Sequence, residues 1–166
     1  MRCILLALAL CLLPAADQSA ASQQGAASKT VILVRHAERV PGEGDVVLSD
    51  RGRERAQALA RLLVDADIQE IIVSDRLRTQ QTAEPLAKQK TLKPEVLPAD
   101  KLGAVVERIR TTKAGTVLVV HHSNTVPVLV EKLGGKTPPI RDDEFDRIVV
   151  LTMSSPGPPT LLTLRY

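Results

Sequence analysis

The run Thr30-Val31-Ile32-Leu33-Val34-Arg35-His36 is apolar and rich in β-branched residues until it ends in two basic side chains. Such a run predicts a strand over Thr30–Arg35 that is buried on both faces, as strands of a parallel sheet are. Thr116–His121 (TVLVVH) has the same character and also ends in histidine. Two shorter strands are predicted at Glu70–Val73 and Glu95–Leu97. The pattern therefore favours a largely parallel sheet.

The segments between these strands have the spacing of amphipathic helices. Helices are predicted from Ser49 or Asp50 to about Ala66, at Leu77–Lys90, near Lys101–Arg110 and at Thr125–Leu133. In the first helix one buried face is expected to hold Leu59, Leu62, Leu63 and Ala66. The last strands, Arg147–Met153 and Thr160–Arg165, are predicted to form a hairpin.

Strands that alternate with helices predict an α/β fold. We expect a three-layer sandwich, with a mostly parallel central sheet, helices on both faces and an antiparallel C-terminal hairpin. In open sheets of this kind, ligands bind beyond the carboxyl ends of the strands. Three polar clusters follow three strands at that edge: Arg35-His36, Ser74 to Arg78, and His121 to Asn124.

These clusters combine arginines with histidines, which is the composition of an anion site that contains a nucleophile. Arginine forks match phosphate oxygens and stay charged at any working pH. A neutral imidazole can attack phosphorus, and neighbouring arginines keep it deprotonated by charge repulsion. The chain has neither a Gly-rich loop leading into Lys-Ser/Thr nor a Gly-x-Ser-x-Gly elbow.

Four motifs resemble those of the histidine phosphatase superfamily, also called phosphoglycerate mutase-like. Val34-Arg35-His36-Ala37-Glu38 is similar to the Arg-His-Gly/Ala-Glu motif of that family, and Leu48-Ser49-Asp50-Arg51-Gly52 resembles its helix start. Residues 74–83 (SDRLRTQQTA) resemble Ser-x-x-x-Arg-Thr-x-Gln-Thr-Ala, and residues 120–125 (VHHSNT) resemble Gly-His-Ser-Asn-Thr. The resemblance covers about residues 30–166.

The resemblance implies a role for each matching residue. His36 would be the nucleophile that becomes phosphohistidine, while Arg35, Arg78 and His122 would hold the phosphoryl oxygens. Ser123 and Asn124, which follow His122 in the motif, are candidates for substrate binding. The implied activity is hydrolysis of phosphomonoesters or phosphohistidine, with no cofactor and no metal.

Two assignments need a choice between residues. His121 stands where the family has a small residue, and strand alternation points it away from His122, so a structural role is favoured. For the acid that protonates the leaving group, we prefer Asp100, which follows Pro98, over Glu38. Asp142-Asp143-Glu144 is interpreted as a solvated loop.

The N-terminus has the pattern of an export signal. Arg2, the apolar run Ile4–Leu13 and Pro14-Ala15-Ala16 predict a cleaved signal peptide over residues 1–21, followed by a linker over 22–29 and the domain over 30–166. Both cysteines, Cys3 and Cys11, would leave with the signal peptide. We therefore expect a periplasmic or extracellular protein without stable membrane insertion.

Composition limits the possible partners. The chain has 166 residues, 44% of them hydrophobic, and a net charge of +3 with no basic run, so one soluble domain is expected. Phe145 and Tyr166 are its only aromatic residues, which disfavours base stacking and nucleic-acid binding. The expected partner is a small phosphorylated molecule or a phosphoprotein.

Three rival functions remain. A mutase is disfavoured because the chain lacks the length for insertions that cover the site. A metal site built from His36, His121 and His122 lacks a supporting ligand pair. A non-catalytic phosphate-binding protein on the same fold would not need His36.

Overall fold

The computed structural model describes residues 28–166, so the predicted signal peptide and most of the linker lie outside the described residues. The strands are β1 (Lys29–Arg35), β2 (Glu70–Ser74), β3 (Glu95–Leu97), β4 (Thr116–His121), β5 (Arg147–Met153) and β6 (Thr160–Arg165). The helices are α1 (Asp50–Leu63), α2 (Leu77–Lys90), α3 (Leu102–Thr111) and α4 (Val126–Lys132).

The strands form one mixed sheet in the order β3-β2-β4-β1-β5-β6. The first four strands of this order, β3, β2, β4 and β1, are parallel to one another. Strand β5 runs antiparallel to both β1 and β6. The predicted α/β fold and its C-terminal hairpin are therefore confirmed. In the part of the chain described, no helix is long and apolar enough to span a membrane.

Alternate residues of β1 point into two separate cores. Val31 and Leu33 pack with α3 and α4 on one face, and Ile32 and Val34 pack with α1 and α2 on the other. Because β1 is covered on both faces, it carries no polar side chain between Val31 and Val34. The helices lie on both sides of the sheet, which makes three layers.

Helix α1 differs from its prediction in length and in one buried residue. It ends at Leu63 rather than Ala66, and Leu62 is 52% exposed. Leu62 lies about 100° around the helix from the centre of the buried face, which is set by Ala56, Leu59 and Leu63. The prediction that Leu62 is buried was therefore wrong.

Local contacts bring α1 against the chain that follows β1. Ser49 caps the helix, since its Oγ accepts the N–H of Gly52 at 3.1 Å, and the backbone N–H of Ser49 donates to the carbonyl of Glu38 at 3.0 Å. A Cβ on Gly52 would come within 2.0 Å of that carbonyl. The glycine thus allows α1 to pack directly on the segment after His36.

Candidate functional site

The three polar clusters meet at the carboxyl edge of β1, β4 and β2. His36 follows β1, and its backbone N–H donates to the carbonyl of His121 at the end of β4 at 2.9 Å. The imidazole rings of His36 and His122 lie 5.4 Å apart between centroids. Ser74 at the end of β2 contacts His122 as well. The fold therefore brings together residues that are up to 86 positions apart in the sequence.

His36 is buried and has a defined tautomer. Its Nδ1 lies 2.7 Å from the carbonyl oxygen of Ala37, and because a carbonyl only accepts, Nδ1 carries the proton. The lone pair of the neutral ring is then on Nε2. Burial lowers the pKa of His36 to about 4; the Ala37 carbonyl opposes this change, and the charges of Arg78 and Arg35 reinforce it. His36 is thus neutral near pH 7.

Arg35 is held by backbone oxygens rather than by a carboxylate. Its Nη1 donates to the carbonyls of Arg141, Asp142 and Glu144 at 2.9, 2.9 and 3.1 Å. The guanidinium carbon lies 3.9 Å from the centroid of the Phe145 ring, a cation–π contact. The Nε of Arg35 is buried and has no hydrogen-bond partner among residues 28–166.

Arg78 offers a second buried donor. Its side chain is only 17% exposed, and its Nε also has no hydrogen-bond partner within the described range. Its Nη1 is 3.8 Å from a carboxylate oxygen of Asp45. Burial lowers the pKa of both Arg78 and Arg35, yet a guanidinium remains charged in proteins. The site therefore contains two fixed positive charges with unused N–H groups.

The ring of His122 is fixed by Ser74, which is itself held by Thr79. Its Nε2 lies 3.0 Å from Ser74 Oγ, which lies 2.9 Å from Thr79 Oγ1. Thr79 donates its single proton to a backbone carbonyl, that of Arg76 at 2.7 Å being nearest. Ser74 therefore donates to Thr79 and accepts from His122 Nε2. Burial, reinforced by His121 and His36, lowers the pKa of His122 to about 3.

His121 is the last residue of β4. It is completely buried, and its Nδ1 contacts Thr125 Oγ1 at 2.6 Å. The same oxygen accepts the backbone N–H of His122 at 3.1 Å. The ring of His121 lies 5.0 Å from that of His122, and burial lowers its pKa to about 4. His121 thus supports the turn that carries His122.

The two acid candidates have different surroundings. Both oxygens of Glu38 accept from Arg55 Nε at 2.8 and 3.0 Å, and Arg51 lies 3.1 Å away. Burial alone would raise the pKa of Glu38, but these hydrogen bonds and charges bring it below its usual value. Glu38 is therefore held as a carboxylate, which argues against the donor role considered for it.

Asp100 is 77% exposed and lines a cavity of about 400 Å³ with Arg78, His122 and Asn124. Ser123 is half-buried in the same turn. A larger cavity of about 760 Å³ runs along α2 and contains none of the histidines, whereas the lining of the smaller cavity includes His122 and Arg78 but not His36 or Arg35. No cluster of three or more His, Cys, Asp or Glu side chains suited to a metal ion occurs among residues 28–166.

Some contributing residues were not identified from the sequence. Ser74 was assigned to the motif without a role, although its position before the arginine motif was a usable signal. Phe145 gave no signal, because its contact with Arg35 spans 110 positions. The interpretation of Glu144 as part of a solvated loop was wrong: its side chain is 5% exposed and pairs with Arg147 at 2.6 Å.

A family model described as histidine phosphatase superfamily (branch 1) matches residues 31–101, which include His36 and Arg78. Among solved structures, the protein histidine phosphatase SixA complexed with tungstate is 26% identical, with a TM-score of 0.69 over 82% of this chain and 96% of that one. No curated protein matches the sequence significantly.

Two further structures share the fold. A protein described as a putative α-ribazole-5′-P phosphatase from Escherichia coli K-12 is 18% identical, with a TM-score of 0.68 over 83% of this chain and 96% of that one. A protein described as a putative phosphohistidine phosphatase SixA from Nakamurella multipartitia is 20% identical, with a TM-score of 0.63 over 85% and 98%. The family model covers the stretch that contains His36 and Arg78, and these two structures share the fold of this chain.

Proposed function

We propose that this protein is a member of the histidine phosphatase superfamily and a metal-independent phosphatase that hydrolyses phosphomonoesters or phosphohistidine through a phosphohistidine at His36. One observation carries the proposal: the buried Nε–H groups of Arg35 and Arg78 have no acceptor among residues 28–166, and the charges of both arginines act on the neutral imidazole of His36. Unsatisfied buried donors are costly, so such a pair favours an anion. The neutral ring beside them supplies a nucleophile.

In the first half-reaction the lone pair of His36 Nε2 forms a bond to phosphorus. The bond between phosphorus and the leaving group breaks, and the leaving group departs with that electron pair. Asp100, which lines the cavity beside Arg78, donates a proton to the leaving group. The guanidinium groups of Arg35 and Arg78 stabilise the charge on the phosphoryl oxygens in the transition state.

In the second half-reaction water attacks phosphorus and the phosphorus–nitrogen bond breaks. The Asp100 carboxylate takes the proton of the water, which restores the acid for the next turnover. Its exposed position allows water to reach the site. Phosphate leaves, and His36 returns to its neutral form with the proton still on Nδ1, held by the Ala37 carbonyl.

The phosphohistidine substrate is supported by the 26% identity to a structure described as a protein histidine phosphatase. Asp100 and Asn124 are exposed residues that line the cavity with Arg78 and His122, which suits a phosphoryl group presented on a protein surface. In this proposal Ser123 and Asn124, which follow His122, contact the part of the substrate that carries the phosphoryl group; Asn124 supports this because it lines the cavity with Arg78.

The test is a hydrolysis screen over phosphomonoesters and a phosphohistidine protein, with and without a chelator. We expect chelator-resistant release of phosphate and, after rapid quenching, a phosphoryl group on the protein that is labile to acid and stable to base. The alternative, a non-catalytic phosphate-binding protein, would bind vanadate without turnover or a trapped intermediate. Activity abolished by the chelator would contradict metal independence.

We further propose that the enzyme works outside the cytoplasm. The support is the sequence pattern of Arg2, the run Ile4–Leu13 and Pro14-Ala15-Ala16. Mass spectrometry of the protein from its native host should find an N-terminus between about Ala15 and Ala26. Full-length protein recovered from the cytosol would contradict export.

A further inference from the structure

The segment between α4 and β5 forms a set of carbonyl groups around Arg35. It has no helix or strand, yet three of its carbonyls accept from the single Nη1 of Arg35. Phe145 of the same segment lies against the guanidinium plane. The orientation of Arg35, and so of its unused Nε, therefore depends on a stretch of chain with little backbone hydrogen bonding of its own.

A buried ion pair holds this segment at both ends. Arg147 donates to Glu144 through Nε at 2.6 Å and through Nη2 at 2.8 Å. It also donates to the carbonyls of Pro138 and Pro139 at 2.7 and 3.2 Å. Glu144 in turn accepts the backbone N–H of Arg141 at 3.3 Å. The guanidinium of Arg147 thus fixes the segment at Pro138 and Pro139, and Glu144 fixes it at Arg141, near the carbonyls that accept from Arg35.

Stability alone is a weak reason for such a pair. The two side chains are only 9% and 5% exposed, and removing two charges from water offsets much of the attraction between them. An apolar pair of similar volume often stabilises a fold as well or better. The ion pair does, however, make directed hydrogen bonds to three backbone groups of the segment, which an apolar pair cannot make.

We propose that Glu144 and Arg147 are positioning residues for Arg35. They hold the carbonyls of Arg141, Asp142 and Glu144 so that these carbonyls accept from Nη1 and leave Nε free for a phosphoryl oxygen. This inference rests on the proposed function. Neither residue touches the substrate; both act through Arg35.

A double-mutant cycle tests this role. Arg147→Lys keeps the positive charge but loses the forked guanidinium that makes two parallel hydrogen bonds. The variant is made in the wild-type protein and in the Arg35→Lys protein, and each is assayed by kcat/KM for p-nitrophenyl phosphate and by vanadate inhibition. We expect a loss of about 10- to 100-fold in the wild-type background, the range for displacement of a catalytic group by up to ~1 Å. In the Arg35→Lys background the further loss should be below about 2-fold, because the group being positioned is already gone.

Urea unfolding of each variant separates folding from positioning. If Arg147→Lys does not fold, Glu144→Gln replaces it, since the amide keeps the shape of the carboxylate but loses its charge. The matched control is Arg108→Lys, which disrupts the ion pair of Arg108 with Glu95 near the other edge of the sheet and should leave both kinetic measurements unchanged.

Equal losses in the two backgrounds would overturn the positioning role, because a general effect on the fold does not depend on Arg35. A wild-type protein that neither hydrolyses p-nitrophenyl phosphate nor binds vanadate would instead overturn the proposed function, and this inference with it.

Discussion

Acidification from pH 7 to pH 4 should destabilise this protein through its three histidines, which are all of the histidines in the chain. Burial lowers the pKa of His36 and His121 to about 4 and that of His122 to about 3, from an ordinary value of 6.5. Between these values the unfolded chain binds more protons than the folded one. The stability gained from neutral histidines is therefore complete above about pH 6.5 and is lost as the pH falls through about 4.

The size of the effect is clearest for His121, which is completely buried. A pKa lowered from 6.5 to about 4 corresponds to about 3 kcal/mol of unfolding free energy lost between pH 7 and pH 4. Domains are stable by about 5–15 kcal/mol in total, so one group removes a large share. His36 and His122 act in the same direction, and their rings lie close enough for the protonated forms to repel each other.

The assay is urea unfolding between pH 5 and 6, compared with the variant His121→Gln. In this range each buried histidine makes the unfolding free energy rise by up to about 1.4 kcal/mol per pH unit. The slope of unfolding free energy against pH should therefore be smaller by about that amount in the variant, whatever its stability at pH 7. NMR titration of the three imidazoles gives an independent value for each pKa. Equal slopes for the two proteins, or an imidazole that titrates near pH 6.5, would refute the reasoning.

Three other outcomes are expected. Arg78→Lys should lower turnover about 10- to 150-fold, since it loses at least one hydrogen bond to a charged group worth about 1.5–3 kcal/mol; more than half of wild-type activity in a phosphatase assay would place Arg78 outside the site. His36→Ala should abolish the trapped phosphoryl group in a quench experiment, and His122→Ala should slow both the formation and the breakdown of that group. His121→Ala should mainly lower the urea concentration at the midpoint of unfolding. Asp100→Asn should slow release of a poor leaving group more than that of p-nitrophenolate, whereas Glu38→Gln should affect both alike; the reverse pattern would make Glu38 the proton donor.

Most of the fold could be predicted because its signals are local. The apolar runs of β1 and β4, and the helical spacing between them, lie within short windows of sequence. The rule that ligands bind beyond the carboxyl ends of strands then placed His36, Arg78 and His122 at one edge. Leu62 was misassigned because the face of α1 is narrower than its apolar spacing suggested.

The parts of the site that could not be predicted depend on which ion pairs the fold buries. Three consecutive acids, Asp142 to Glu144, have the composition of a solvated loop, and although Arg147 lies only three residues beyond Glu144, the sequence does not show that this pair is buried. Likewise Glu38 is next to the histidine motif in sequence, but its partner Arg55 comes from the second turn of α1. Local composition identifies which side chains are ionisable, whereas the fold determines which of them form ion pairs with one another.

The same burial has opposite consequences for the two residue types at this edge. An imidazole gives up its proton when it is buried, so His36 becomes an uncharged nucleophile, while the guanidinium of Arg78 keeps its charge because its ordinary pKa lies far above neutrality. Neither group changes its protonation between about pH 5 and 9. The nucleophile therefore limits kcat/KM only on the acid side, where protonation of His36 removes the lone pair that attacks phosphorus.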